Sequence, residues 1–198
     1  GVLAAALKAA LAIGAYRNFI TGDTVLSCQD IVKITGASKP MVISGIALLD
    51  ALKIIEIYGR AHRNTNVYRF RDFPGESNSF RKVPQDALCM GLPQLKARHP
   101  SVVYSLRLYL AMIYLRENST SKATVSHERL VHSTGVRPED VARGNSLLVV
   151  SGLIQIRTAE LTAFSRTGHP PNEYKLAGDF EGKRRQLPRP TAKPRDLF

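Results

Sequence analysis

One segment of the chain recurs 99 positions later without a gap. Residues 34–57 have the sequence ITGASKPMVISGIALLDALKIIEI, and residues 133–156 have the sequence STGVRPEDVARGNSLLVVSGLIQI. The agreement falls on positions suited to helix caps, a turn and a core, so it predicts one supersecondary unit present twice. The identical pairs include Ser27 and Ser126, Thr35 and Thr134, Gly36 and Gly135, Val42 and Val141, Gly45 and Gly144, Leu48 and Leu147, Leu49 and Leu148, Ile55 and Ile154, and Ile57 and Ile156.

Each repeat has the pattern of two helices separated by a tight turn. In the first, Ser27 is placed to cap a helix over 28–35, and Gly36 suits the positive φ of a turn between helices. A second helix follows to about Lys53, with Pro40 in its first turn, where a missing N–H costs little. The β-branched stretches IIEIYG and VYRF flank a polar turn and predict a hairpin.

The second repeat predicts the same order with a longer hairpin loop. Its helices are expected over SVVYSLRLYLAMIYL, HERLVHS and 138–151, and its strands over ATV, GLIQI and EYKL. The alanine-rich segment 2–20 predicts a buried helix before the first repeat. That helix either packs within its own unit or offers its small residues to a second chain.

The duplication favours two small domains in a chain of 198 residues. We predict one domain over 1–70 and another over 101–176. Residues 71–100 hold prolines and few periodic apolar residues, so they predict a linker with a short helix near 85–95. The basic, proline-rich tail 177–198 has a composition typical of disorder.

The charge balance indicates a polyanionic partner. The chain has 28 Lys and Arg residues against 16 Asp and Glu, a formal charge of +12. Basic residues outnumber acidic ones in both predicted domains, the linker and the tail, so the excess is not confined to one end. Nucleic acid is therefore the first candidate partner.

Several classes of site and location are disfavoured by the sequence. Cys28 and Cys89 form no CxxC pair, which argues against a disulfide framework or structural zinc and favours a reducing cytosol. His127 and His132 are five apart, not the four that places two zinc ligands on one helix face. No phosphate-binding glycine loop or catalytic constellation occurs, so we predict a non-enzyme without metal or cofactor. The apolar start is interrupted by Lys8 and is shorter than a membrane span, so no membrane partner is expected.

The order helix, strand, helix, glycine turn, helix and hairpin resembles the winged helix-turn-helix unit of bacterial DNA-binding proteins. The resemblance lies in LSCQDIVKITGASKPMVISGIALLDALKIIEI with NVYRF, and in VSHERLVHSTGVRPEDVARGNSLLVVSGLIQI with NEYKL. Two such units in a short basic chain are similar to the tandem winged-helix proteins of plasmids and other mobile elements. This implies a mainly α fold with small β-hairpin wings, of the α+β class, in a cytoplasmic, nucleoid-associated protein. It also favours homodimers paired through terminal helices.

In helix-turn-helix proteins the second helix of the pair enters the major groove and contacts base edges through its N-terminal residues. The resemblance therefore implies that Lys39 meets guanine or phosphate and that Met41 packs on a thymine methyl. The implied groove set of the first unit is Lys39, Pro40, Met41 and Ser44. The implied wing contacts to the backbone or minor groove are Arg60, His62 and Arg63.

The second unit has a different helix tip, with Pro138, Glu139, Asp140 and Arg143 at the corresponding positions. Carboxylates favour a helix N-terminus but repel phosphates. Glu139 either accepts a hydrogen bond from cytosine N4 or, like Asp140, only caps a surface helix; both interpretations stay open here. The basic residues that keep a DNA contact open for this unit are Arg137, Arg143, Arg166 and Lys175.

Three functions are consistent with this sequence. The leading hypothesis is a sequence-specific, double-stranded DNA-binding regulator of transcription that represses by covering a promoter. The second is a plasmid or phage replication initiator, which binds origin repeats and engages the replication machinery. The third is an adaptor in which one unit binds protein instead of DNA.

Overall fold

The computed structural model describes residues 1–18, 20–62, 65–71, 82–96, 99–117, 120–158 and 171–178. These residues form a mixed α+β structure with two small antiparallel sheets. The helices are α1 (Val2–Ala15), α2 (Cys28–Thr35), α3 (Lys39–Ala51), α4 (Gln85–Gly91), α5 (Ser101–Leu115), α6 (His127–Thr134) and α7 (Pro138–Val150), with a 3₁₀ turn at Leu92–Gln94. The strands are β1 (Asp23–Ser27), β2 (Ile55–His62), β3 (Thr65–Phe70), β4 (Lys122–Val125), β5 (Ile154–Thr158) and β6 (Asn172–Leu176).

The first repeat comprises α1–α3 and β1–β3, and the second comprises α5–α7 and β4–β6. The two sheets have the same topology, with strand orders β1-β3-β2 and β4-β6-β5. Each central strand buries one tyrosine, Tyr68 or Tyr174. The amides of Asn66 and Asn172 donate to these hydroxyls, over 3.2 and 3.4 Å. The repeats therefore agree in fold beyond the stretch where their sequences align without a gap.

The predicted caps and turns of the short helices are confirmed. The Ser27 hydroxyl accepts from the Asp30 N–H, and the Asp30 carboxylate accepts from the Ser27 N–H, which closes a capping box. Both short helices end in left-handed glycines, Gly36 at φ 64° and Gly135 at φ 60°. A side chain is strained in that conformation, so glycine is the residue both turns require.

The first helix ends earlier than predicted. The sequence predicted a helix over 2–20, but α1 ends at Ala15. Beyond it Asn18 makes a turn, because its side-chain oxygen accepts from the Ile20 N–H over 2.9 Å and its carbonyl accepts from the Gly22 N–H over 2.9 Å. A short polar side chain that hydrogen-bonds nearby backbone competes with helix in this way.

Helix α1 packs within its own chain, against α3 of the first repeat and α5 of the second. Gly45 makes the α1–α3 contact possible, since a Cβ there would lie 2.7 Å from the backbone nitrogen of Ala6. Its counterpart Gly144 faces Leu108 and Ser105 of α5. The sequence had left open a small-residue stripe offered to a second chain; in the structure the buried alanines of α1 lie inside the fold.

The segment between the repeats contributes to the core. The predicted short helix near 85–95 is confirmed as α4 and the 3₁₀ turn. Leu88 and Leu92 are fully buried in a hydrophobic cluster that runs through both repeats. Pro93 packs on Gly36 of the first repeat, and Gly91 packs on Leu153 of the second. Residues 82–96 of the predicted linker are therefore a packed layer between the repeats.

Some sequence-based predictions fall on other parts of the chain. The loop over 159–170 lies outside the described residues, and so do residues 179–198 of the tail 177–198 that was predicted as disordered. At the start of that tail the Ala177 N–H donates to the Leu153 carbonyl over 2.9 Å, so the ordered fold extends past residue 176. In the described ranges, no single helix is both long and apolar enough to cross a bilayer. Together α2 and α3 have the length and composition of a membrane span, but the two helices meet at a bend of 105°.

Candidate nucleic-acid interface

The pair α2 and α3 is held at a fixed angle by its turn. Residues 36–38 connect the two helices, which meet at 105°. The Thr35 hydroxyl donates to the Ile31 carbonyl over 2.6 Å and accepts from the Ala37 N–H over 3.3 Å. In the second repeat the Thr134 hydroxyl makes the same two bonds, to the Leu130 carbonyl and from the Val136 N–H. One side chain thus ends the first helix and fixes the turn in both repeats.

The tip of α3 presents three of the four predicted groove residues to solvent. Lys39, Pro40 and Ser44 are exposed, whereas Met41 is half-buried and packs against the core near Gly1. The opposite face of α3 is inserted in the core through Val42, Gly45, Ile46 and Leu49. Because that inward stripe fixes the rotation of the helix, the exposed residues form one continuous face.

Sequence reasoning missed Ile43, which lies on this exposed face with 53% of its surface accessible. A β-branched apolar side chain there can contact a thymine methyl, the role that had been assigned to Met41. The periodicity contained the signal, since Val42, Ile46 and Leu49 define the inward stripe and Ile43 falls outside it.

The tip of α7 is organised by an ion pair. Arg137 lies 2.9 Å from the carboxylate of Asp140 and 3.5 Å from that of Glu139. The hydrogen bond to Asp140 raises the pKa of Arg137. Asp140 is only 4% exposed, so the expectation that it faces the groove is wrong: it holds Arg137 against the helix start. Glu139 and Arg143 remain exposed, and Arg137 presents a guanidinium largely compensated by its neighbours.

The wing candidates are described only in part. The structure describes the backbone of Arg60 and His62, which lies in β2, while Arg63 and Arg166 lie outside the described residues. Lys175 is exposed on β6. The wing contacts therefore stay predictions from the sequence.

Comparisons with known proteins give no family for the chain: no protein-family profile matches it, and a search of curated proteins found no significant match. Among the residues that the structure describes, no group of three or more His, Cys, Asp or Glu side chains is arranged to hold a metal ion.

Proposed function

We propose that this chain is a sequence-specific double-stranded DNA-binding protein of the tandem winged helix-turn-helix class, and that it acts as a transcriptional repressor of a plasmid or other mobile element. One observation carries the proposal. In the first repeat a strand, a helix pair with a three-residue glycine turn and a 105° bend, and a hairpin follow one another, and the strand and hairpin form a three-stranded antiparallel sheet; the second repeat has the same elements in the same order. Helix-turn-helix pairs cross at about 90–120° and are joined by about 3–4 residues.

The first repeat is the stronger candidate for base recognition. The exposed tip of α3 offers an ammonium at Lys39, a hydroxyl at Ser44 and an apolar side chain at Ile43. These groups suit guanine, several base edges and the thymine methyl, respectively. The tip of α7 instead offers Glu139 and Arg143 beside an internally paired Arg137.

The inequality of the two tips constrains the DNA site. One chain with two different helix tips would meet two different half-sites, so a palindrome would require two chains. Direct repeats of a two-part site can each be bound by one chain in the same orientation, so they need no pairing of chains. The difference between the two helix tips therefore favours a replication initiator as the second candidate function, since an initiator binds repeated sites in an origin.

The test is selection of genomic or plasmid fragments retained by the purified protein, followed by sequencing. Enrichment of a site upstream of a promoter supports the repressor, and enrichment of direct repeats at an origin supports the initiator. A protein that retains no duplex at low ionic strength would refute both.

The proposal that α3 is the recognition helix is tested with the variant Lys39→Ala. We expect about tenfold weaker binding to the selected site, within the range of one base contact. Lys53→Asn is the control, because it removes the same charge just beyond the far end of α3, and asparagine tolerates the left-handed backbone (φ 56°) that Lys53 adopts. Equal losses in the two variants, or no loss in Lys39→Ala, would exclude α3 as the recognition helix.

A further inference from the structure

The outer face of the second sheet is cationic. Side chains on one face of an antiparallel sheet come from residues directly opposite each other and from every second position. The inner positions are buried, as Ala123, Tyr174 and Ile154 show. The outer face therefore consists of two cross-strand rows, Lys122–Lys175–Gln155 and Thr124–Glu173–Arg157. We call these six residues the cationic sheet face.

This arrangement works against folding stability. Lys122 and Lys175 stand directly opposite each other, and like charges at such a position are destabilising. Glu173 pairs with Lys122 at 3.0 Å and compensates one of the charges. Lys175 and Arg157 are exposed, and the six residues keep a net charge of +2.

The first sheet provides an internal comparison at the same six positions. Its corresponding rows are Asp23–Arg69–Glu56 and Val25–Val67 with Tyr58, which sits at the bulge before Gly59. Arg69 is used internally: it lies 2.8 Å from Asp23 and 4.8 Å from the centre of the Tyr58 ring. Hydrogen bonds, first of all from Arg69, lower the pKa of Asp23. The outer face of the first sheet is thus partly apolar and carries a net negative charge. The outer face of the second sheet has the same strand arrangement but side chains that give it a net positive charge.

The chemistry of the cationic sheet face fits a phosphate backbone better than other polyanions. Its members, all among the described residues, include no aromatic side chain on which an unpaired base could stack, which single-strand binding uses. They also include no large apolar side chain to anchor an acidic protein segment, and protein interfaces depend on such anchors. What remains is a set of flexible cations and hydrogen-bond donors, the groups that contact phosphate oxygens.

We propose that the cationic sheet face of the second repeat binds the phosphate backbone of duplex DNA without regard to sequence, and that the corresponding face of the first repeat does not. The inference rests on the proposed function and adds a division of labour to it. The first repeat contributes base recognition through α3, and the sheet of the second repeat adds electrostatic affinity that does not depend on the sequence of either half-site.

The test is the salt dependence of duplex binding by the triple variant Lys122→Gln/Lys175→Gln/Arg157→Gln. Each lost phosphate contact makes the negative slope of log K against log salt shallower by about 0.9. We expect the slope to become shallower by about 2 to 3 and the preference for the selected site over random duplex to stay unchanged. The control variant Arg69→Gln/Lys53→Asn/Lys96→Gln removes three exposed charges elsewhere and should leave the slope nearly unchanged.

The outcomes separate this inference from the proposed function. Absence of duplex binding in the unmodified protein refutes the proposed function itself. Normal binding with an unchanged slope in the triple variant overturns the inference alone, as do equal slope losses in both triple variants. The inference is also overturned if the triple variant binds duplex normally but no longer binds an acidic protein that the unmodified chain binds. The double variant Lys175→Gln/Arg157→Gln, which keeps the Lys122–Glu173 pair, should show the same effect at about two thirds of its size if the triple variant folds poorly.

Discussion

Lys8 combines an ionisable side chain with a position in the middle of the core. It lies on the alanine-rich α1 and is 1% exposed. Its ammonium nitrogen donates to the carbonyl of Thr35 over 2.8 Å and to that of Leu92 over 2.6 Å. Burial lowers its pKa to about 8. One side chain thus joins α1, the end of α2 and the 3₁₀ turn between the repeats.

This burial predicts a pH dependence of stability. The pKa of Lys8 is about 8 when folded and near 10.5 when unfolded, so between these values the unfolded chain binds more protons. The contribution of Lys8 to the free energy of unfolding should therefore rise with pH from about 8 to 10.5, by at most about 1.4 kcal/mol per unit from one proton. Urea denaturation across this range checks it. The variant Lys8→Met keeps every other titrating group and should lose this rise; identical curves would contradict the assignment.

The two repeat glycines should differ in their tolerance of a methyl group. In Gly45→Ala the new Cβ meets backbone atoms of Ala5 and Ala6 at 2.7–2.8 Å, which cannot rotate away. In Gly144→Ala the nearest atom, at 2.6 Å, belongs to the flexible side chain of Leu108. We expect Gly45→Ala to cost about 3 kcal/mol and Gly144→Ala about 1 kcal/mol. Chemical denaturation of the two variants compares them, and a larger loss at Gly144 would contradict the packing described.

At the scale of elements, the two short helices share a fold and differ in their caps. Ser27 and Asp30 form a reciprocal capping box at α2. At α6 the residue three beyond Ser126 is Arg129, which returns no carboxylate, so Ser126 accepts a single bond from the backbone over 3.2 Å. The start of α2 is therefore held by more interactions than that of α6.

We predict that Ser27→Ala lowers the free energy of unfolding by about 1 to 2 kcal/mol and that Ser126→Ala lowers it by about 0.5 to 1 kcal/mol. Thermal unfolding followed by circular dichroism measures both. Asp30→Asn alone should reproduce part of the loss in free energy of unfolding seen with Ser27→Ala, because it removes the carboxylate half of the capping box. If the two serine variants are equally destabilised, the box adds nothing to α2.

The elements themselves were largely predictable, and their contacts were not. Ser27, Gly36 and the alternating hydrophobic positions are local signals, so they give the two helix pairs and the hairpins from sequence alone. The burial of Asp140 depends on its pairing with Arg137, and the outer rows of each sheet depend on strand register. The strand register depends on contacts between residues distant in sequence, and the ion pair depends on which of several possible partners Arg137 contacts. A local sequence pattern specifies neither.

At the scale of the whole molecule, the repeats are joined by a packed layer. Sequence reasoning assigned 71–100 to a linker because its few apolar residues have little periodicity. Leu88 and Leu92 are nevertheless fully buried, since α4 and the 3₁₀ turn place them between the two repeats. The angle between the repeats is accordingly restrained by side-chain packing and by the Lys8 hydrogen bonds.

We predict that Leu88→Ala lowers the free energy of unfolding by about 2 to 5 kcal/mol, the usual range for a buried leucine. Because the core is continuous, the protein should still unfold in one transition with coincident near-UV and far-UV signals. Met90→Ala on the same helix is the control, since Met90 is 71% exposed and should change stability by less than about 0.5 kcal/mol. Two separated transitions would mean that the repeats are independent domains.

The packed layer also bears on how the chain can be divided. Residues 1–71 and 82–178 meet through α1 and α5, through Pro93 on Gly36, and through the bond from Lys8 to Leu92. Two separate polypeptides cut between these ranges would each expose an apolar surface that the other one covers. Co-expressed, they should reassemble without a covalent connection and purify as a single complex, which would make this protein a natural candidate for a split reporter.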